Sequence, residues 1–138
     1  MSKNSVITTW VSKLAFDCTI DGHTVRIDGK PPQGDGTGPG PKTLLLTSLT
    51  GCTGMDVAAL LPKMRVPFDS LVVEAEAELT EEHPKVYKSI HLIFRISGSE
   101  VREEKVREAI QLSQEKYCGV TAMLKAHCPI TWELVIAG

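Results

Sequence analysis

Two of the four cysteines stand where the sequence could support thiol chemistry. Cys52 lies in the middle of the apolar stretch PKTLLLTSLTGCTGMDVAALL, and Cys118 immediately precedes a predicted short helix. The free N–H groups at the start of a helix favour an anion, so Cys118 should form a thiolate more easily. Cys52 has no such benefit, and the carboxylate of Asp56 one turn later would oppose its ionisation if the two are close. Inert packing in the core is the alternative for both thiols.

The other two cysteines are expected to be structural. Cys18 falls on the apolar face of a predicted strand, and Cys128 precedes Pro129 at the start of another. A zinc site built from Cys118, His127 and Cys128 is disfavoured, because this spacing matches no common zinc pattern. We therefore expect no metal.

The stretch that holds Cys52 is predicted to be a helix over residues 41–61. Pro41 suits the first turn of a helix, and Pro62 should kink or end it. Apolar groups cover most of the circumference of this helix, so it should be buried on several sides. One face of this helix carries residues at steps of three and four: Leu45, Leu49, Cys52, Asp56 and Ala59.

The rest of the chain alternates between strand and helix patterns. Three short strands are predicted within residues 5–28, with a hairpin turn at Asp21-Gly22. After the central helix we expect strands at 73–79 and 86–97, a helix from about 102 to 117, a short helix at 120–126 and a strand at 130–136. The order is β-β-β-α-β-β-α-α-β. It predicts an α+β fold with largely antiparallel strands around a long central helix, in a single domain of residues 1–138.

Residues 28–41, DGKPPQGDGTGPGP, form a predicted surface loop, which we expect to be mobile and which could lie over a pocket. A glycine-rich loop before a helix suggests phosphate binding. Here, however, Pro41 precedes Lys42-Thr43, where the phosphate-binding motif requires glycine, and proline has no N–H for a phosphate. We expect no nucleotide and no other cofactor.

Charge and hydropathy exclude two classes of partner. The net charge is −2 and the basic residues are scattered, so nothing indicates nucleic-acid binding. The N-terminal residues have no apolar signal core, and the longest unbroken apolar run, residues 57–61, is too short for a membrane span. We expect a cytoplasmic protein whose thiols are kept reduced.

Two motifs together resemble a known family. The run GPKTLLLTSLTGCTGMDV, followed by EKYCGVTAMLKAHCPITWEL, is similar to the paired cysteine motifs of the OsmC/Ohr family of thiol-dependent peroxidases. The resemblance extends over nearly the whole chain, because the predicted order of elements agrees as well.

The resemblance implies an intertwined homodimer with the active site at the subunit interface. It also implies that Cys52 attacks the peroxide and becomes a sulfenic acid, and that Cys118 then closes a disulfide. A small dithiol or thioredoxin-type reductant would reopen this disulfide.

The chain departs from the peroxidatic members of that family at two points. They carry a glutamate near the start of the central helix, where this chain has Pro41-Lys42-Thr43-Leu44, and an arginine from the N-terminal strands, where the first 25 residues here contain none. These departures favour the broad OsmC-like branch. They leave two other functions open. The protein would bind a small apolar ligand without turnover, or it would act as a thiol redox sensor.

Overall fold

The computed structural model describes residues 2–137, which fall into two compact units. The first ends at Leu46 and the second begins at Thr47. The long helix contributes residues to both, and each unit is described by itself below.

The N-terminal unit contains an antiparallel meander. Its strands are β1 (Ile7–Ser12), β2 (Ala15–Ile20) and β3 (His23–Ile27), in the order β1-β2-β3. Asp21 and Gly22 connect the last two strands with φ angles of 49° and 80°. Two consecutive positive φ angles are what a two-residue hairpin turn requires, so the predicted turn is confirmed.

The loop after β3 is organised by one carboxylate. Asp28 is buried and accepts hydrogen bonds from the backbone N–H of Gly29 at 2.7 Å and from the backbone N–H and the hydroxyl of Thr37 at 3.0 and 2.6 Å. Its own N–H donates to the carbonyl of Pro39. The loop predicted from glycine and proline content is therefore closed around Asp28.

Asp28 should make the stability of the protein depend on pH. The hydrogen bonds from Thr37, hydroxyl first and backbone second, lower the pKa of Asp28. A group whose pKa is lower in the folded state stabilises it above the unfolded pKa of about 3.9, and this stabilisation is lost as the pH falls through the folded value. Urea unfolding of Asp28→Asn should show a loss of stability at pH 7 that shrinks towards pH 3. A loss that is the same at both pH values would contradict this role of the charge.

The long helix α1 (Pro41–Lys63) buries one face only within this chain. The residues of that face are Leu49, Thr53, Val57 and Leu61, whereas Met55 is 75% exposed and Leu45 46% exposed. The predicted helix is confirmed, and it ends at Lys63, one residue after Pro62. Burial on several sides is not achieved by the chain alone. By length and composition α1 could also cross a membrane, a test that the core helix of a soluble protein passes as well.

A three-stranded sheet forms the centre of the C-terminal unit. Its strands are β4 (Ser70–Leu79), β5 (Tyr87–Ser97) and β6 (Ile130–Ala137), in the order β4-β5-β6. The β4–β5 pair is antiparallel, but β6 runs parallel to β5, with Ile130 opposite Ile90. The expectation of largely antiparallel pairing is confirmed with this exception. The parallel pair is possible because helices form the crossover between the two strands.

The crossover contains α2 (Glu103–Leu112), a π-helical turn (Ser113–Tyr117) and α3 (Gly119–Lys125). Val106, Ala109 and Ile110 of α2 are buried. The predicted helix from about residue 102 to 117 is confirmed in extent, but its last five residues form a π-helical turn and not an α-helix. A π-helical turn holds one more residue per hydrogen-bonded ring than an α-helix, which the spacing of apolar residues does not reveal.

Candidate active site

The fold brings Cys52 and Cys118 together although 66 positions separate them in the sequence (118 minus 52). Their sulfur atoms and a carboxylate oxygen of Asp56 all lie within 4.8 Å of one another. Cys118 is buried, with 4% of its surface exposed, and Cys52 and Asp56 are half-buried. All four cysteines are free thiols, and neither Cys18 nor Cys128 belongs to this cluster.

Cys118 is positioned by the π-helical turn. Its backbone N–H donates to the carbonyl of Ser113 at 2.8 Å, which closes the turn, and the chain then leaves in an extended conformation. Its sulfur caps α3 and accepts the backbone N–H of Thr121 at 3.3 Å. The predicted position at the start of a helix is therefore confirmed, and the sulfur receives a donor that suits a thiolate.

Cys52 occupies a less favourable site for a thiolate. Burial raises the pKa of the Cys52 thiol, and a hydrogen bond with the side chain of Cys118 raises it further. The charges of Cys118 and Asp56 act in the same direction, whereas the backbone N–H of Val120 lowers the pKa. Asp56 therefore opposes the ionisation of Cys52, as the spacing of the two residues on the helix predicted. Its contribution is smaller than that of burial.

A chain of hydrogen bonds holds Asp56 in place. The Ser113 hydroxyl donates to Oδ2 of Asp56 at 2.8 Å, and the Thr53 hydroxyl lies 2.8 Å from that of Ser113. Because each hydroxyl has one proton, Thr53 donates to Ser113 and accepts from the side-chain amide of Gln114. Thr53 and Ser113 are fully buried. This chain fixes the carboxylate beside the two sulfurs.

The sequence reading missed the members of this hydrogen-bond chain. Ser113 lies in the predicted helix of residues 102–117, where the spacing places it in an apolar stripe with Val106 and Ile110, and Thr53 follows Cys52 directly. A buried hydroxyl requires a partner, so a serine in an apolar stripe was the available signal. The partner of Ser113 lies 57 positions away, and a single sequence does not indicate such a distance.

No arginine of the described residues acts on the Cys52 thiol, although the family resemblance would require one. Arg26, the first arginine of the chain, donates from Nε to Asp17 at 2.5 Å and from a terminal nitrogen to Thr37. Among residues 2–137, no cationic side chain contributes to the pKa of Cys52. The only charged groups that act on this thiol are therefore anionic.

The alternative zinc ligands lie apart from this cluster. An imidazole nitrogen of His127 lies 3.0 Å from the backbone oxygen of Tyr87. Cys128 is buried, and burial raises the pKa of its thiol. Cys118 is therefore grouped with Cys52 and Asp56, and not with these two residues.

A groove of about 510 Å³ lies between α1 and the start of β4, and Cys52 is not among the residues that line it. Glycine and alanine on this side of the helix leave space beside the backbone. The residues that line it on α1 are Thr50, Gly51, Gly54, Met55 and Ala58. This mostly apolar surface could accept an apolar group.

The two sulfurs are close enough for a disulfide after a modest shift. An S–S bond is about 2.05 Å long, so the sulfurs must approach each other by up to about 2.8 Å from their limit of 4.8 Å. Rotation of the two side chains, with a small movement of the short α3, can supply this approach. The arrangement can therefore exchange two thiols for one disulfide.

Comparisons with known proteins agree on one family. A family model described as OsmC-like protein matches residues 34–133. Protein YhfA of Escherichia coli K12 is 34% identical over 131 residues, which cover 93% of this chain and 96% of that protein. A hypothetical protein from Aquifex aeolicus VF5 has a similar crystal structure, with a TM-score of 0.86 and 29% identity over the full length of both chains. The OsmC-like protein of Mycoplasma pneumoniae shares the fold, with a TM-score of 0.86, 15% identity and 99% of each chain covered.

Proposed function

The chain belongs to the OsmC-like protein family, and on this premise we propose that it is a thiol-dependent peroxidase that uses Cys52 and Cys118. The observation that carries the proposal is the distance of at most 4.8 Å between the two sulfurs. The family resemblance assigns one of these sulfurs to each oxidative step of the reaction. Neither sulfur has another cysteine partner in the described chain.

The proposed reaction has two oxidative steps. The Cys52 thiolate attacks the terminal oxygen of a hydroperoxide ROOH, the O–O bond breaks, and the leaving alkoxide takes a proton to become ROH. Cys52 is then a sulfenic acid. The Cys118 thiolate attacks the sulfenic sulfur, and hydroxide leaves with a proton as water. The sum is one hydroperoxide and two thiols converted to one alcohol, one water and one disulfide.

A dithiol or thioredoxin-type reductant completes the proposed cycle. Its first thiolate attacks one sulfur of the disulfide, and its second releases the mixed disulfide, so that both thiols of the protein are restored. The half-buried position of Cys52 supports this step, because a reductant can reach one of the two sulfurs from solvent.

The environment of the thiols sets the expected rate. The raised pKa of Cys52 leaves a small thiolate fraction at neutral pH, and no cation among residues 2–137 lowers this pKa. The rate of the first step should therefore increase with pH through the alkaline range, as more Cys52 ionises. The N–H donors of Val120 and Thr121 towards the two sulfurs support the reaction against this disadvantage.

The functional unit that we propose is a homodimer in the cytoplasm, with no membrane or nucleic-acid partner. Large apolar side chains are exposed on α1, with Leu45 and Met55 among them, and on β1, with Ile7 and Trp10. Exposed apolar surface of this extent marks an interaction site in many proteins. A peroxide or another small apolar ligand would then bind at the subunit interface.

A single-turnover experiment tests the proposed function. Fully reduced protein is mixed with one equivalent of cumene hydroperoxide or hydrogen peroxide, and free thiols are counted over time. We expect the loss of two of the four thiols, faster than the oxidation of free cysteine, with the apolar peroxide reacting faster. Loss no faster than that of free cysteine would overturn the proposal.

A further inference from the structure

The two thiols of the proposed peroxide reaction, together with Asp56, which has no role in that reaction, form a set of potential metal ligands. The sulfurs of Cys52 and Cys118 and a carboxylate oxygen of Asp56 lie within 4.8 Å of one another. Two thiolates and a carboxylate are donors that zinc accepts, and three protein ligands leave the fourth tetrahedral position for water. Among the described residues, no other group of this kind occurs.

The distances suit closure around a zinc ion. Zinc bonds of about 2.3 Å to sulfur and about 2.1 Å to oxygen place tetrahedral ligands about 3.6 to 3.8 Å apart. Because all three atoms lie within 4.8 Å of one another, each pair must approach by at most about 1.2 Å. Small rotations of three side chains supply this movement, which is much less than disulfide formation requires.

The surroundings already orient the carboxylate. Ser113 donates to Oδ2 of Asp56 and is itself held by Thr53, and both hydroxyls are fully buried. Hydrogen bonds of this kind hold the ligands of metal sites in their coordinating orientation. The second oxygen of Asp56 can turn to a metal while the first keeps its bond to Ser113.

We propose that Cys52, Asp56 and Cys118 form a zinc site with one open position in the reduced protein. Binding replaces two thiol protons by one Zn²⁺, so two protons are released. Oxidation of the pair to a disulfide by a hydroperoxide consumes two protons, forms alcohol and water, and releases the zinc. Zinc and peroxide therefore compete for the same sulfurs. The proposal uses the same thiols as the peroxidase reaction but does not depend on that reaction.

Zinc titration of the reduced protein against a chromogenic chelator, without oxygen, tests the site. We expect one zinc per chain, and a loss of affinity of at least about 100-fold in Cys52→Ser and in Cys118→Ser. Asp56→Asn preserves the shape of the side chain and should lose about 10-fold or more, on the scale that metal-site substitutions show. Cys128→Ser removes a buried thiol outside the cluster and should bind as the unchanged protein does.

Cobalt(II) gives a second readout that does not involve activity. Tetrahedral cobalt bound by two thiolates has strong sulfur-to-metal charge-transfer bands and visible bands, and Asp56→Asn should shift the visible bands. Absence of stoichiometric zinc binding would overturn the proposal. Asp56→Asn with affinity within about two-fold of the unchanged protein would overturn it as well, because the carboxylate would then not be a ligand. No peroxide is present, so the result is independent of the single-turnover experiment.

Discussion

Cys52→Ser is expected to abolish the peroxide-dependent loss of thiols, and Cys118→Ser to stop the reaction at a sulfenic acid. The hydroxyl of a serine does not ionise near neutral pH and cannot attack the peroxide oxygen, so the first variant should retain all of its three thiols. In the second variant Cys52 still reacts, but the thiol that would displace hydroxide from its sulfenic acid is missing. A sulfenic-acid-specific label, followed by mass spectrometry of the intact protein, measures both outcomes.

Cys128→Ser is the matched control for these two variants. It also removes a buried thiol from the C-terminal unit, but Cys128 does not belong to the cluster. It should still lose two thiols at the rate of the unchanged protein. If instead Cys118→Ser loses its thiols as a disulfide, or Cys52→Ser reacts at the original rate, the assigned division of labour is wrong.

The sequence predicted the elements of this fold well because its local patterns are strong. The alternation around Cys18 and the Asp21-Gly22 turn specified the meander, and Pro41 and Pro62 marked the two ends of α1. Such signals depend on neighbouring residues only. The parallel β5–β6 pair is a different case, since it depends on where the crossover helices direct the chain.

The candidate site was predictable in part. The position of Cys118 before a helix indicated from the sequence that it could form a thiolate. Its proximity to Cys52 was implied only by the family resemblance. The structure places the two sulfurs within 4.8 Å of each other. The π-helical turn explains why the residue pattern alone did not predict this proximity. It moves Ser113 towards Asp56 and Cys118 towards Cys52, and its hydrogen bonds have no signature in the apolar periodicity.

Met55→Glu is expected to dissociate the proposed homodimer. Met55 is 75% exposed in the single chain, on a helix whose composition predicted burial on several sides. It also lines the groove between α1 and β4. A partner chain that covers α1 would explain both observations. A glutamate at this position would then be buried without a counter-charge, at a cost of about 3 kcal/mol or more, so the dimer should dissociate at least about 100-fold more readily.

Light scattering over a concentration series measures this effect, with two control variants beside it. Met55→Leu keeps an apolar side chain of similar volume and should remain dimeric. Ser99→Glu adds the same charge at an exposed position of a turn, so it separates the effect of an interface from that of net charge. An unchanged protein that is monomeric, or equal dimer stability in Met55→Glu and Ser99→Glu, would show that this face of α1 is not the interface. If the active site lies at the interface, Met55→Glu should also slow thiol loss at concentrations where it is monomeric, because both chains would be needed to hold the peroxide. The rate should then recover as the protein concentration rises.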